Sequence, residues 1–464
     1  MAPKFGTSGL RGLVVELTAD LVADHVRAFL GASPVGSGLW VGRDLRPSSP
    51  DIAEAVIAAA GDAGVPVTDC GAVPTPALAL AAMQAGAASV MVTGSHIPAD
   101  RNGLKFYTPS GEITKADEAA ILAHLGQPQA GKTAARATCA TAGTDWVARY
   151  VTGFGAQALA GLRVGVWSHS AVSRDLLLAA FRALGAEVLE LGRSDQFIPV
   201  DTEAVAPEAR AQIAAWVVEH GLDALVSTDG DGDRPLLADG QGRLVPGDVL
   251  GQITAAALGA DTVVTPVSSN TGAEAGGRFA RVIRTRIGSP FVIAGMEAAG
   301  GRVVGYEANG GFLLGFAAQG AAGPLPALMT RDSLLPMVAT LAEARRTGGL
   351  GTRLAAEPAR FTATDRLEEI PTAVSAGFIA GLNDDETRIS AFIETFGERL
   401  AGIDRTDGLR MTTTLGRVLH MRPSGNAPEF RLYAEAESRD LADDMLARGL
   451  ARLAAELRPA EESR

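Results

Sequence analysis

A serine and a histidine follow an apolar run in the first quarter of the chain, where both could act on a substrate. The run Ala88–Val92 leads directly to residues 93–98, which include Ser95 and His96. A serine hydroxyl becomes a useful nucleophile when a base removes its proton, or takes part in transfer when it already carries a phosphoryl group. The loop is not a Gly-x-Ser-x-Gly turn, which disfavours an α/β-hydrolase. The alternative is that Ser95 only caps a helix.

Three aspartates that alternate with glycines form a second polar loop after an apolar run. Asp229, Asp231 and Asp233 are followed by Arg234. Three carboxylates this close repel one another unless a cation lies among them. An EF-hand would need glycine and glutamate at the positions of Arg234 and Gly240. Carboxylates together with a phosphate oxygen suit Mg²⁺, and Arg234 could bind the same phosphate. The alternative is a solvated acidic turn.

Two further loops carry groups that recognise hydroxyls and phosphates. Glu307 and Asn309 follow a third apolar run, and a carboxylate with an amide can accept and donate hydrogen bonds to sugar hydroxyls. Near the C-terminus one loop combines a guanidinium, a hydroxyl, a flexible backbone and an amide, supplied by Arg422, Ser424, Gly425 and Asn426. Such a set can bind phosphate. The alternative for each of the two loops is an ordinary turn.

Alternating apolar runs and helical patterns supply the elements that must position these loops. The pattern occurs three times, once ahead of each of the Ser95, Asp229 and Glu307 loops, and it favours parallel strands joined by helical crossovers. Ligand-binding loops in such sheets lie beyond the carboxyl ends of the strands. After about residue 365, short extended runs lie between helical stretches near 384–398 and 434–457. This change predicts a smaller α+β unit that carries the Arg422 loop.

The length of 464 residues predicts three or four domains. We predict an α/β architecture of three related domains with mixed, mostly parallel sheets, at residues 1–145, 146–250 and 251–365. A C-terminal α+β domain would follow at 366–464. Apolar residues make up 47% and charged residues 20% of the chain, and no run approaches the roughly 20 consecutive apolar residues of a membrane span. Without a secretory signal at the N-terminus, we expect a cytoplasmic protein with no membrane partner.

The charge and the cysteines exclude two further classes of protein. A net charge of −12 argues against a general nucleic-acid binder, which needs a broad basic face. It is compatible with an anionic small substrate, because a few arginines can dominate the field inside a cleft. Cys70 and Cys139 have neither a Cys-x-x-Cys nor a zinc-like spacing, so we expect no disulfide framework.

Taken in order and spacing, the motifs resemble the α-D-phosphohexomutases, which include phosphomannomutases and phosphoglucomutases. The resemblance extends from residues 5–12, which contain Arg11, to residues 431–436, which begin with Arg431. It implies four domains around a central cleft, the last of them a lid. It also implies that Ser95 carries the transferable phosphoryl group and joins the three aspartates as a metal ligand. Arg11, His96 and Lys105 would face the same site, although Lys105 could instead be a solvated surface residue.

The same resemblance implies the activity. The enzyme would interconvert 1-phospho and 6-phospho hexoses, mainly mannose and also glucose phosphates, through a phosphoserine and a 1,6-bisphosphate intermediate. Mg²⁺ would be the cofactor, hexose 1,6-bisphosphate the activator and hexose phosphates the ligands of a monomer or homodimer. Three alternatives stay open: a phosphoglucosamine mutase, a phosphosugar hydrolase and a non-catalytic sugar-phosphate-binding protein.

Glu307 and Asn309 would read the sugar, while Arg422, Ser424, Gly425, Asn426 and Arg431 would hold the non-reacting phosphate. The chain departs from the family pattern at four places. The family usually has Asn at the position of Ile97, Ser at Asn309, His at Gly311 and Thr-Glu at Asn426-Ala427.

Overall fold

The computed structural model describes residues 3–6, 9–127, 133–424 and 428–457. Its first unit is a mixed sheet with strand order β1-β2-β6-β5-β3-β4-β8, in which β7 pairs with β6. The strands β3, β4, β5 and β8 are parallel, and β1, β2 and β6 are antiparallel to their neighbours. The elements are β1 Lys4–Phe5, β2 Leu10–Leu13, a 3₁₀ turn Val14–Glu16, α1 Ala19–Ala32, β3 Leu39–Arg43, α2 Ser49–Asp62, β4 Val67–Ala72, α3 Thr75–Gln84, β5 Ala88–Val92, β6 Arg101–Thr108, β7 Gly111–Glu112, α4 Lys115–Ala123, β8 Arg136–Thr138 and α5 Ala142–Phe154.

The second unit has strand order β10-β9-β11-β12, with only β12 antiparallel to its neighbour. Its elements are β9 Arg163–Trp167, α6 Arg174–Ala183, β10 Glu187–Leu191, α7 Pro207–His220, β11 Ala224–Thr228 and β12 Pro235–Asp239. Every residue of β11 is buried, as expected for a central strand that is covered on both faces.

The third unit repeats this plan with strand order β14-β13-β15-β16-β19, and β13, β14 and β15 are parallel. Its elements are α8 Gly247–Ala257, β13 Thr262–Pro266, α9 Gly272–Ala275, β14 Arg281–Thr285, α10 Ser289–Ala299, β15 Val303–Tyr306, β16 Phe312–Leu314, β17 Ala318–Gln319, β18 Pro324–Leu325, β19 Leu328–Asp332, α11 Leu334–Thr347 and α12 Leu350–Ala355.

The fourth unit is an antiparallel sheet with strand order β20-β24-β23-β22-β21, combined with helices. Its elements are β20 Phe361–Glu368, α13 Thr372–Asn383, α14 Glu386–Glu394, β21 Leu400–Asp404, β22 Leu409–Thr413, β23 Val418–Pro423, β24 Glu429–Ala436 and α15 Arg439–Leu457. The predicted architecture of three α/β units and one α+β unit is confirmed. The prediction that the last helix begins near residue 434 was wrong, because residues up to Ala436 form a strand that pairs with β20 and β23.

The hydrophobic cores differ between the first three units and the fourth. One continuous core runs from Cys70 in β4 through the second unit to Leu350 in α12, which fixes the three α/β units against one another. The fourth unit has a core of its own, from Ile370 to Leu453. Its contacts with the third unit include polar ones, such as the hydrogen bonds from Thr271 to Glu435. Cys70 and Cys139 are free thiols. In the part of the chain that the structure describes, no helix is long and apolar enough to cross a membrane.

Candidate active site

Ser95 lies directly after the buried strand β5, and its hydroxyl points into the second unit. Ser95 Oγ donates a hydrogen bond of 2.5 Å to Asp229 Oδ2, and the serine side chain is fully buried. Its φ of 54° is left-handed, a backbone conformation that non-glycine residues adopt rarely and that clusters at functional sites. In the described chain no helix begins at Ser95, so the helix-cap alternative was wrong. The loop presents this hydroxyl to the aspartates.

Arg46, which the sequence analysis did not select, holds the Ser95 loop from the side of the first unit. Its side chain is 1% exposed, and the guanidinium carbon lies 4.1 Å from the centre of the Phe197 ring. The guanidinium donates to Asp44 and to the backbone carbonyl oxygens of Ser95, Ile97, Pro98 and Arg101. A Cβ atom on Gly94 would lie 2.5 Å from the guanidinium carbon, so glycine leaves room for this contact. One buried cation thus fixes the backbone on both sides of His96.

The three aspartates converge in a buried cluster at the end of β11. One carboxylate oxygen from each of Asp229, Asp231 and Asp233 lies within 4.8 Å of the others, and all three side chains are 0% exposed. The alternative of a solvated turn is therefore wrong. Lys105 Nζ is 2.6 Å from both Asp231 Oδ2 and Asp233 Oδ2. Lys105 is itself buried, so the surface-lysine alternative was also wrong.

The carboxylates of the cluster differ in their affinity for protons. Burial, together with the neighbouring Asp231 and Asp233, raises the pKa of Asp229 well above its ordinary value. Burial also acts on Asp231, but the Lys105 ammonium and the hydrogen bonds that Lys105 and Thr75 donate outweigh it and lower the pKa of Asp231. The cluster thus carries one carboxyl that tends to hold a proton and one that stays ionised, which is the pattern expected of neighbouring carboxylates that repel one another.

The unused oxygens of the cluster indicate what it can bind. Oδ1 of Asp231 and Oδ1 of Asp233 are buried and accept no hydrogen bond from a described residue. A buried carboxylate oxygen without a donor is unfavourable, and a divalent cation with oxygen ligands would satisfy both atoms. The residues therefore fit a metal ion that prefers oxygen, with Ser95 Oγ beside Asp229 as a further oxygen.

The first and the third α/β units both fix the aspartate loop, which belongs to the second. From the first unit, the backbone N–H and the hydroxyl of Thr75 donate to the carbonyl oxygen and to Oδ2 of Asp231. From the third unit, the Ser333 hydroxyl donates to the carbonyl oxygen of Gly232. Gly232 has a φ of 76°, and a Cβ atom there would lie 3.0 Å from Pro74. The position of the carboxylates thus depends on how the three units are assembled.

Arg234, His96 and Arg11 add positive or polar groups beside the cluster. Arg234 Nη1 donates to His96 Nδ1 at 3.0 Å, and Arg234 Nε is 4.0 Å from Asp229 Oδ2. Burial and the Arg234 charge lower the pKa of His96, so the imidazole is neutral. Burial and Arg234 also lower the pKa of Arg11 to about 10, with an opposing contribution from Asp231. Arg11 and Arg234 thus place positive charge beside the aspartate cluster.

The predicted sugar-reading loop lies after β15 in the third unit. Glu307 and Asn309 are 4% and 8% exposed, and Asn309 Oδ1 accepts a hydrogen bond from the Gly311 amide. The hydroxyl of Thr202, in the second unit, donates to the Asn309 carbonyl oxygen at 3.1 Å. The loop is therefore a fixed turn that contacts the second unit.

Arg331, which the sequence analysis also missed, joins this loop to the aspartates. Arg331 Nη2 is 3.1 Å from Asp233 Oδ2, and Arg331 Nη1 is 3.4 Å from Glu307 Oε2. Burial disfavours the charged guanidinium, but Asp233, Glu112 and Glu307 raise the pKa of Arg331 well above its ordinary value. The only local signal was an arginine at the end of an apolar run, which a sequence alone cannot separate from a surface residue.

The C-terminal phosphate loop forms a separate group on β23 and β24. Arg422 Nε is 3.7 Å from Asp407 Oδ1, and the Ser424 amide donates to the Glu429 carbonyl oxygen. Arg431 is 3.2 Å from Glu429 Oε2, and its charge also interacts with Glu203 of the second unit. Arg422 and Arg431 are paired cross-strand neighbours. The predicted phosphate-binding residues Gly425 and Asn426 lie outside the described residues.

Comparison with known proteins shows which family this chain resembles. The models of the phosphoglucomutase/phosphomannomutase alpha/beta/alpha domains I, II and III match residues 2–131, 147–242 and 246–361, and the model of the C-terminal domain matches residues 366–450. A phosphomannomutase from Sinorhizobium fredii is 45% identical, over 97% of this chain and 98% of that protein. A phosphomannomutase from Salmonella muenchen is 41% identical, over 94% of this chain and 92% of that protein.

A solved structure shares the fold over the whole chain. A phosphoglucomutase/phosphomannomutase family protein from Burkholderia thailandensis superposes with a TM-score of 0.77 at 20% identity, over 98% of both chains. The serine–aspartate cluster described above thus lies in a chain whose four successive parts match that family's domains in order. The chain belongs to the phosphoglucomutase/phosphomannomutase family of α-D-phosphohexomutases.

Proposed function

We propose that this phosphohexomutase interconverts mannose 1-phosphate and mannose 6-phosphate, that it also accepts glucose phosphates, and that Ser95 is its phosphoryl carrier. The observation that carries the proposal is the hydrogen bond of 2.5 Å between Ser95 Oγ and Asp229 Oδ2, beside Lys105 and two further aspartates. An isolated serine is a poor phosphoryl acceptor, whereas one beside a metal-type carboxylate cluster and a buried lysine has the charges that phosphoryl transfer requires.

The aspartate cluster would hold Mg²⁺, with Asp229, Asp231, Asp233 and the oxygen of Ser95 as ligands. When bound, Mg²⁺ would neutralise charge on the transferring phosphoryl group and help to orient it. The two buried oxygens without donors, Oδ1 of Asp231 and of Asp233, support this assignment. A bisphosphate activator would maintain the phosphorylated form of Ser95.

The basic residues around Ser95 would position the transferring phosphoryl group. Arg11 and Arg234 carry positive charge toward it, since phosphoryl transfer depends mainly on alignment and charge neutralisation. Lys105 bridges two aspartates and could take or give the proton of the sugar hydroxyl. His96 Nδ1 accepts from Arg234 and lies 3.3 Å from Ser95 Oγ, so His96 would hold the Arg234 guanidinium beside the serine oxygen.

The remaining loops would hold the sugar at both ends. Glu307 and Asn309 would bind two of its hydroxyls, and a group in the fourth unit would bind the phosphate that does not react: Arg422, Ser424, Gly425, Asn426 and Arg431. Phospho-Ser95 would give its phosphoryl group to the free hydroxyl, and the bisphosphate would turn round and return the other group. The separate core of the fourth unit suits a lid that excludes water during this exchange.

A ³¹P NMR time course tests the proposal. The protein, Mg²⁺, mannose 1-phosphate and a trace of hexose 1,6-bisphosphate are incubated together, and the phosphorus signals are followed. We expect the signal of mannose 6-phosphate to appear. Free phosphate as the main product would indicate a hydrolase, and an unchanged spectrum would indicate a non-catalytic binder; either result contradicts the proposal.

A further inference from the structure

We propose that Arg331 is a positioning residue that fixes the sugar-reading carboxylate of Glu307 against the aspartate loop, and that Gly311 is small in order to admit it. The inference rests on the proposed function, because it assigns Glu307 to the sugar. Arg331 lies in β19, so it belongs to neither of the two loops that it joins.

The geometry around the guanidinium supports a bridging role. Arg331 is 3% exposed, and its two terminal nitrogens contact different units of the protein. Nη1 is 3.4 Å from Glu307 Oε2 in the third unit, while Nη2 is 3.1 Å from Asp233 Oδ2 in the second and 3.9 Å from Glu112 Oε1 in the first. Glu112 in turn accepts a hydrogen bond from the Ser289 hydroxyl at 2.9 Å. One side chain therefore contacts both Glu307 of the sugar loop and Asp233 of the aspartate cluster.

Gly311 is the position that makes this placement possible. A Cβ atom on Gly311 would lie 2.8 Å from Arg331 Cδ and 2.9 Å from Cγ, closer than real contacts allow. The backbone of Gly311 is not left-handed, so an alanine there would meet no backbone strain. The substitution would act chiefly by pushing the stem of Arg331 away. Gly311→Ala is thus a second variant that disturbs Arg331 without removing it.

The planar guanidinium is needed for this role, and a positive charge alone is not enough. A guanidinium presents several donors in a fixed fork, whereas an ammonium is a single point of charge. Lys105 shows that one ammonium can bridge two adjacent carboxylates. Arg331, however, contacts Asp233 and Glu307 through two different nitrogens, and the single nitrogen of a lysine at position 331 would not replace both. A merely structural, charge-balancing role predicts that lysine restores the wild-type behaviour. A positioning role predicts that it does not.

Sugar selectivity provides a readout that protein stability does not affect. Glucose and galactose 1-phosphates differ only in the orientation of the C4 hydroxyl. A fixed Glu307 would lose a hydrogen bond with the wrong epimer, while a loosely held carboxylate could adjust to either. Releasing Glu307 should therefore lower the preference for glucose over galactose, as well as raising KM.

The experiment compares Arg331→Lys, Gly311→Ala and the double variant with the wild type, on glucose and galactose 1-phosphates at saturating Mg²⁺. In Arg331→Lys we expect kcat/KM for glucose 1-phosphate to fall about tenfold or more, the size of a lost hydrogen bond to a charged group. The glucose-to-galactose preference should shrink several-fold in both single variants. The double variant should be little worse than Arg331→Lys, because both changes act on one interaction. Gly377→Ala is the matched control, since nothing lies within 4 Å of that added Cβ atom.

Three results would overturn the inference: wild-type selectivity in both single variants, a fully additive double variant, or complete rescue by lysine. If Arg331→Lys does not fold, the selectivity of Gly311→Ala alone decides. The proposed function fails separately, if the wild-type enzyme itself converts no sugar phosphate.

Discussion

Ser95 and Asp229 are 134 residues apart in the chain, yet the serine hydroxyl donates to the aspartate at 2.5 Å. The contact joins the first α/β unit to the second, so it exists only when the two units are assembled. Burial and two neighbouring carboxylates raise the pKa of that same aspartate well above its ordinary value.

Replacement of Ser95 by alanine should abolish turnover and leave the protein folded. The phosphoryl carrier would be lost, while the loss of one buried hydrogen bond typically costs about 1 kcal/mol of unfolding free energy. Activity assays, thermal unfolding and mass spectrometry of wild-type peptides check this, and the added phosphate should map to Ser95. Ser89→Ala is the control, because Ser89 is buried in β5, the strand that leads to Ser95, and its hydroxyl makes no hydrogen bond to a described residue. Substantial activity in Ser95→Ala would rule out the serine as carrier.

Asp231→Asn should weaken Mg²⁺ binding and lower the rate together. The change removes one of three anionic ligands and also the charge that holds Lys105 at 2.6 Å. Titration of the rate with Mg²⁺ should show a higher half-saturating concentration, and chelation by EDTA should silence the wild type reversibly. Asp195→Asn serves as control, since that side chain is 98% exposed. Activity that survives thorough chelation would contradict a metal role for the loop.

Two buried histidines should make the protein less stable in acid. Burial lowers the pKa of His169 and of His420 to about 4, from an ordinary value of 6.5. Between these values the unfolded chain binds more protons than the folded one, so stability is present above pH 6.5 and is lost as pH falls toward 4. From pH 7.5 to pH 5 each histidine should contribute a loss on the order of 2 kcal/mol.

Denaturant unfolding at the two pH values measures this loss. His420→Asn should lose less stability than the wild type, whereas His124→Asn should behave like the wild type, because His124 is exposed. Asp248 titrates in the same pH range, because burial raises its pKa to about 6, and its contribution to the stability is lost as pH rises. The wild type and both variants share this contribution, so it cancels when they are compared. An equal acid loss in the wild type and in His420→Asn would show that the buried histidine has no such effect.

The sequence indicated those site residues that directly follow an apolar run. Ser95, Asp229 and Glu307 each follow a buried strand, so a local pattern places them at the carboxyl edge of a parallel sheet. Arg46 and Arg331 also follow apolar runs, but an arginine at such a place does not indicate a site by itself, because the roles of these two residues arise from partners far away in the chain. Arg331 contacts Asp233 and Glu307 only after two units have packed together.

Local helix propensity also led to a wrong first residue for the last helix. The alanine- and glutamate-rich stretch that begins at residue 434 favours a helix, but Ala434 and Glu435 pair with β20 and β23. Long-range strand pairing overrides the weak helical preference there, and the helix begins only at Arg439. The expected domain limits at 145, 250 and 365 stay predictions.

The sugar preference is the last prediction, and it follows from what Glu307 and Asn309 can reach. If they bind the C3 and C4 hydroxyls, they cannot separate mannose from glucose, which differ only at C2. A hydrogen bond to a neutral hydroxyl is worth about 0.5–1.5 kcal/mol, a two- to tenfold preference. We therefore expect both sugars to be converted, with kcat/KM values within about a hundredfold. Galactose phosphate should react much more slowly, because its inverted C4 hydroxyl leaves a buried acceptor or donor of this loop without a partner. Steady-state rates on mannose, glucose, galactose and glucosamine 1-phosphates decide the matter, and efficient turnover of only the galactose or the glucosamine compound would refute the assignment.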